Sequence, residues 1–113
     1  MWKTFAGTTF VLSVWFVASP VFTADTAPSK ARQREIIELL REDCGSCHGM
    51  TLKGGLGPPL TPQALANKST DMLRATIMNG RAGTPMAPWR PFLSDAEAQW
   101  LTRRLKMGIT DAR

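Results

Sequence analysis

Cys44-Gly45-Ser46-Cys47-His48 gathers both cysteines and the single histidine of the chain into five residues. Two thiols at this spacing can each add to a vinyl group of one porphyrin, and the imidazole that follows is then placed to bind the iron from below. The pattern predicts one covalently held haem c, attached through Cys44 and Cys47. Two other chemistries use the same residue types. A thioredoxin-like dithiol has this spacing, but it normally opens a helix after a strand in a βαβ unit, and no such pattern is visible. A tetrahedral zinc site needs more thiols or imidazoles than Cys44, Cys47 and His48 supply.

An iron held by His48 has a second axial position, and thioethers are the candidates for it. Once Met1 is set aside, Met50, Met72, Met78, Met86 and Met107 remain. Met72, Met78 and Met107 fall in expected helices, where methionine is usually core filler. Met50 is too close to His48 to reach the opposite face of the ring. Met86 stands in a loop between Pro85 and Pro88, which hold the backbone extended and could present its sulfur without ordering a floppy segment. Met86 is the first choice, Met78 the second; the alternative is that Met86 only packs beside the haem. A His and Met pair leaves no open coordination position and favours a raised potential, as in an electron carrier. No histidine is left over as a distal acid or base, and no carboxylate lies between Asn79 and Leu93, so an enzyme is not expected.

The elements around these residues read as helices joined by loops. Ser29 can cap a first helix running to about Asp43, with Ile36, Ile37, Leu39 and Leu40 at helical spacing. It delivers the chain into Cys44 at a helix C-terminus, where Gly45 and Gly49 are expected to let the backbone bend. Thr51 to Pro62 is a loop rich in Gly and Pro that can wrap against a flat ring. Within Gly57-Pro58-Pro59-Leu60, the Pro58 carbonyl is placed to accept a bond from the ring nitrogen of His48 that does not hold iron, with Leu60 packing on the porphyrin. An ordinary surface turn is the alternative.

A short helix is expected near Thr61 to Gln63, and a clearer one over Thr70 to Asn79, capped by Ser69 or Thr70 and ended by Gly80, with Leu73 and Ile77 inward and Met72 a further candidate for that face. The last begins at Ser94, whose hydroxyl forms a capping box with Glu97, and runs to Met107 before Gly108. Its stripe of Trp100, Leu101 and Leu105 should cross the first helix near Ile36 and Leu40. No period-two strand signal occurs anywhere.

The first 24 residues read as a secretory signal. Lys3 supplies a positive start, and Phe5 to Ala18 is an apolar run too short for a dependable membrane span. Cleavage is expected after Ala24, although Phe22 is bulky where a small residue is preferred; an uncleaved anchor is the alternative. Residues 25–28 then form a linker and 29–113 a single domain. A domain this small buries little surface, so a large flat apolar cofactor would complete its core. Export fits covalent haem attachment, which in a bacterium takes place in the periplasm.

The formal charge is +5, or +4 without Lys3. Two ionised propionates bring it to about +2. This gives no case for nucleic acid. A modest positive face suits steering towards an acidic protein partner, scattered solvated charge being the alternative.

Cys44 to His48, Gly57 to Leu60 and Thr84-Pro85-Met86-Ala87-Pro88-Trp89 together resemble the small class I cytochromes c. The resemblance covers nearly the whole of residues 29–113. It implies an all-α fold of three to four helices wrapped around one haem, with Cys44 and Cys47 as thioether links, His48 and Met86 as iron ligands, and the Pro58 carbonyl as partner of His48. Many members carry a Gly eight residues before the first cysteine, where the terminal helices cross. That position is Ile36 here, so a wider or shifted crossing is expected.

Cys47-His48-Gly49-Met50, Lys53-Gly54, Leu60-Thr61-Pro62 and Pro85 to Trp89 are similar to the NirC-type cytochromes of denitrifying bacteria. That likeness implies that the chain's partner is the periplasmic cytochrome cd type nitrite reductase, to which it donates electrons; a monomer is expected. Two alternatives remain: a maturation factor for the haem d of that reductase and, remotely, a dithiol oxidoreductase. The exposed haem edge would lie among Lys53, Arg81 and Arg90.

Overall fold

The computed structural model describes residues 27–110 together with Trp15. The expected signal segment, apart from Trp15, lies outside the described residues, as do Asp25 and Thr26 of the linker and the last three residues. Among the described residues there is no strand. No helix among them is long and apolar enough to cross a membrane.

Helix α1 (Lys30–Leu39) opens on Ser29, whose hydroxyl accepts the Arg32 N–H at 3.2 Å. It does not end at Asp43. The chain winds on through one π turn (Leu40–Cys44) into α2 (Gly45–His48), so the three pieces form one continuous rod. The Gly45 N–H reaches the Leu40 carbonyl. Gly45 is buried with right-handed helical angles and therefore makes no bend, contrary to expectation. The chain turns at Gly49 instead, where φ is +89°.

A one-residue widening rotates everything after it by about 100° relative to an unbroken α-helix. It therefore lets Ile36 and Leu40 face the core while setting independently where Cys44, Cys47 and His48 point.

Three further helices complete the fold: α3 (Pro62–Leu65), α4 (Thr70–Asn79) and α5 (Asp95–Met107). Thr61, Ser69 and Ser94 cap them, each side chain accepting a backbone N–H. At α5 the bond is returned, because the Glu97 carboxylate accepts the Ser94 N–H at 2.8 Å and completes a capping box. Counting α1 to α2 as one rod, the described residues form four helical rods, an all-α architecture.

Helices α4 and α3 lie along α5. Its Ala98, Leu101 and Leu105 are buried in one cluster with Ile36, Leu40, Leu65, Met78 and Leu93. Burial of Ile36 alone removes a side chain from water at a gain of about 1.5–3 kcal/mol. Helix α1 meets α5 over a shorter stretch than α4 does. Ile36, where many members of the resembled family carry a Gly, is itself fully buried in that core. At their N-terminal ends α1 and α5 are joined by side chains, Arg32 Nε donating to Glu97 Oε1 at 2.7 Å.

Candidate functional site

One cavity of about 730 Å³ lies between the rods. The rod ending in α2 supplies Cys44, Cys47 and His48 to its wall, and the loop that follows supplies Leu56 to Leu60. Helix α4 contributes Met72, Leu73, Thr76 and Ile77, α5 contributes Leu101 and Leu105, and the loop after α4 brings Met86 and Trp89. All six residues singled out in the sequence, Cys44, Cys47, His48, Pro58, Leu60 and Met86, line this single space.

The loop after α2 is held by the carbonyls that the helix end leaves without partners. Gly54 N–H donates to His48 O at 2.8 Å and Gly57 N–H to Cys47 O at 2.7 Å. This fold-back carries the Pro58 carbonyl to 2.7 Å from Nδ1 of His48. A carbonyl only accepts, so Nδ1 carries the hydrogen and the lone pair of the ring is left on Nε2. Gly57 makes the approach possible: a Cβ there would fall 2.7 Å from His48 Nδ1 and 2.8 Å from its Cε1.

The loop after α4 is fastened in a comparable way. Gly80 ends the helix at φ +66°, and a Cβ on it would meet the Met86 carbonyl oxygen at 2.5 Å. Trp89 N–H donates to Ile77 O at 3.0 Å. Trp89 also stacks obliquely on Phe92, with ring centroids 5.6 Å apart. Met86 is half-buried on the cavity wall.

The other methionines divide by position. Met78 is 3% exposed in the core and does not line the cavity. Met50 and Met107 are exposed and lie away from the space, whereas Met72 lines it. On the α4 face, Leu73 and Ile77 were expected inward, Met72 was read mainly as core filler, and Thr76 was missed because it carries no apolar signal. Lys68 and Arg81 are the two cations on the lining. Lys53 and Arg90 are not on it, and the Arg90 guanidinium is engaged by Asn79 Oδ1 at 2.9 Å.

Burial, aided by the charge of Asp43, pushes the Cys44 thiol up to about 11. A thiol kept protonated at neutral pH is the opposite of the activated thiolate that disulfide exchange requires. Among the described residues no group of three or more His, Cys, Asp or Glu could hold a bare metal ion. The donor set suits instead a large, mostly apolar group that brings its own metal, and the volume is in the range of cofactor sites.

Residues 31–103 match the family described as cytochrome c oxidase, cbb3-type, subunit III. The chain is 52% identical over 85 residues to cytochrome c55X of Pseudomonas aeruginosa, which covers 75% of this chain and 71% of that protein. Among solved structures it is similar to the c-type cytochrome NirC, with a TM-score of 0.70 at 52% identity over 72% of this chain and 95% of the other. It is also similar to part of the dihydro-heme d1 dehydrogenase NirN in complex with DHE, with a TM-score of 0.59 at 36% identity. That match covers 65% of this chain and 16% of NirN.

Proposed function

The chain belongs to the cytochrome c family described as cytochrome c oxidase, cbb3-type, subunit III, and from that premise we propose that it is a periplasmic carrier of single electrons, delivering them to a cytochrome cd type nitrite reductase. It is a small c-type cytochrome of the NirC kind. Membership implies a covalently bound haem c, and the residues on the cavity fit that group by volume, apolar lining and donors.

In this reading there is one haem. Cys44 and Cys47 are its thioether links, each S–H adding across a vinyl double bond. His48 offers Nε2 to the iron while the Pro58 carbonyl fixes the tautomer, holds the ring in place and raises its basicity. Met86 would offer its thioether to the iron, and Leu60 would pack on the ring. Once bound, the haem supplies a one-electron ferric–ferrous couple. Held by both His48 and Met86, the metal would be closed to water and small ligands, so transfer and not turnover is the expected activity.

The observation that carries this is the 2.7 Å contact between His48 Nδ1 and the Pro58 carbonyl on the same cavity wall as Cys44 and Cys47. A visible spectrum of the exported protein and of its Met86→Ala variant tests it. The wild type should be low-spin with a sulfur ligand, and the variant should lose that signature. A colourless wild type with two reactive thiols would overturn the proposal. The periplasmic address rests on the signal read in residues 1–24 and is checked by fractionation.

Likeness to NirC supports the nitrite reductase as partner. Likeness to dihydro-heme d1 dehydrogenase favours the second reading, a maturation role in haem d assembly. Deletion separates them: loss of a donor leaves the reductase complete but starved of electrons, whereas loss of a maturation factor leaves it without its special haem.

A further inference from the structure

Three residues of the loop after α4 hold one another. The Thr84 N–H donates to the Arg81 carbonyl at 3.1 Å, and the Thr84 hydroxyl donates to the same oxygen at 2.7 Å. That hydroxyl then accepts the Met86 N–H at 3.3 Å. On its other side the Met86 carbonyl accepts the Arg81 N–H at 3.0 Å. Both backbone polar groups of Met86 are therefore held, one of them by a side chain. Pro85, between Thr84 and Met86, has a fixed φ and no N–H to compete for the hydroxyl.

We propose that Thr84 is a positioning residue for the sixth ligand, its hydroxyl relaying the Arg81 carbonyl to the Met86 N–H so that the thioether stays aimed into the cavity. This rests on the reading of Met86 as the sulfur ligand of the iron. Thr84 is exposed and is not part of the core, so its hydroxyl is not needed for core packing. A ligand on a loose loop must be ordered each time it binds, and the lost freedom is subtracted from the strength of the bond. A loop ordered by its own hydrogen bonds has little left to lose.

The test is displacement of the sulfur from the ferric protein by added imidazole, read from the loss of its sulfur-to-iron charge-transfer band. Thr84→Val keeps the shape and removes both hydroxyl bonds. At the usual worth of one hydrogen bond it should raise the apparent imidazole affinity about fivefold. Thr84→Ser keeps the hydroxyl and should stay within about twofold of wild type. In the unmutated protein the Met86 amide should exchange its hydrogen slowly, a measurement that does not depend on any variant folding.

Equal imidazole affinity for Thr84→Val and wild type, equal loosening by Ser and Val, or rapid exchange of the Met86 amide would each overturn the proposal. The Met86→Ala protein distinguishes the two levels of failure. If it keeps the sulfur band, the ligand reading itself is wrong and the role of Thr84 falls with it. If it loses the band while Thr84→Val titrates like wild type, only the positioning role is lost.

Discussion

Pro58 follows His48 by ten residues, and its carbonyl closes to 2.7 Å on the imidazole Nδ1 because Gly57, the residue before it, has no side chain to keep the two apart. The contact fixes the ring tautomer and frees Nε2 for a metal. It also makes a glycine, a residue with no chemistry of its own, answerable for the electronics of the site.

Gly57→Ala should therefore raise the reduction potential. An added Cβ would meet the ring at 2.7 Å and force the imidazole and carbonyl apart. A less basic imidazole favours ferric iron less. Loss of one hydrogen bond worth about 1 kcal/mol corresponds to about 40 mV for a one-electron couple. Spectroelectrochemical titration of both proteins reads the shift directly, and an unchanged potential would show that the contact does not tune the metal.

Acid stability should depend on Glu97. The bond from Arg32, assisted by the Ser94 N–H, holds its carboxyl down from the ordinary 4.5 to about 2. The charged form is the one the fold favours, so the contribution is complete above about pH 4.5 and fades as pH falls towards 2. Glu97→Gln should unfold at lower denaturant than wild type at neutral pH, and the two curves should converge as the pH approaches 2. Curves that stay parallel over that range would assign the stabilisation to something other than the ionised carboxylate.

Ser94→Ala should lower stability by about 1 kcal/mol, since Ser94 accepts the Glu97 N–H at the start of α5. For a domain of this size that is a drop of about 4–8 °C in Tm. Calorimetry of the two proteins decides it, and a change of under about 1 °C would mean that the box is redundant with the Arg32 bridge.

Ile36→Ala should cost about 2–4 kcal/mol, because the side chain is fully buried where α1 meets the core and the space left would not refill. Denaturant unfolding measures it. A loss below about 1 kcal/mol would show that α1 can move in towards α5, giving the closer crossing that a small residue at this position permits.

Much of this molecule was legible because its signals are local. Ser29, Ser69, Thr61 and the Ser94 with Glu97 box announce helix starts within three residues of themselves, and Gly80 and Gly108 announce ends. Cys44 to His48 reads as a unit for the same reason. The arrangement not read from sequence depends on partners far apart in the chain. Arg32 looks like a solvated charge until α5 is brought alongside, and Thr84 looks like an exposed loop residue until the turn closes on Arg81. The π turn was hidden for a different reason: Leu40 to Cys44 contains no glycine or proline to mark a departure from ordinary helical winding. Gly45 misled in the opposite direction, since a glycine invites a bend that the surrounding helix does not take.

The wide turn from Leu40 to Cys44 sets a strict rule on chain length. Shortening it by one residue would restore normal winding and swing both sulfurs about a quarter of the way round the rod. The imidazole would travel with them, out of reach of the carbonyl that orients it. Substitutions there can be absorbed by neighbouring side chains, but a deletion shifts the phase of everything downstream, so the spacing between Leu40 and Cys44 should tolerate changes of residue type far better than changes of count.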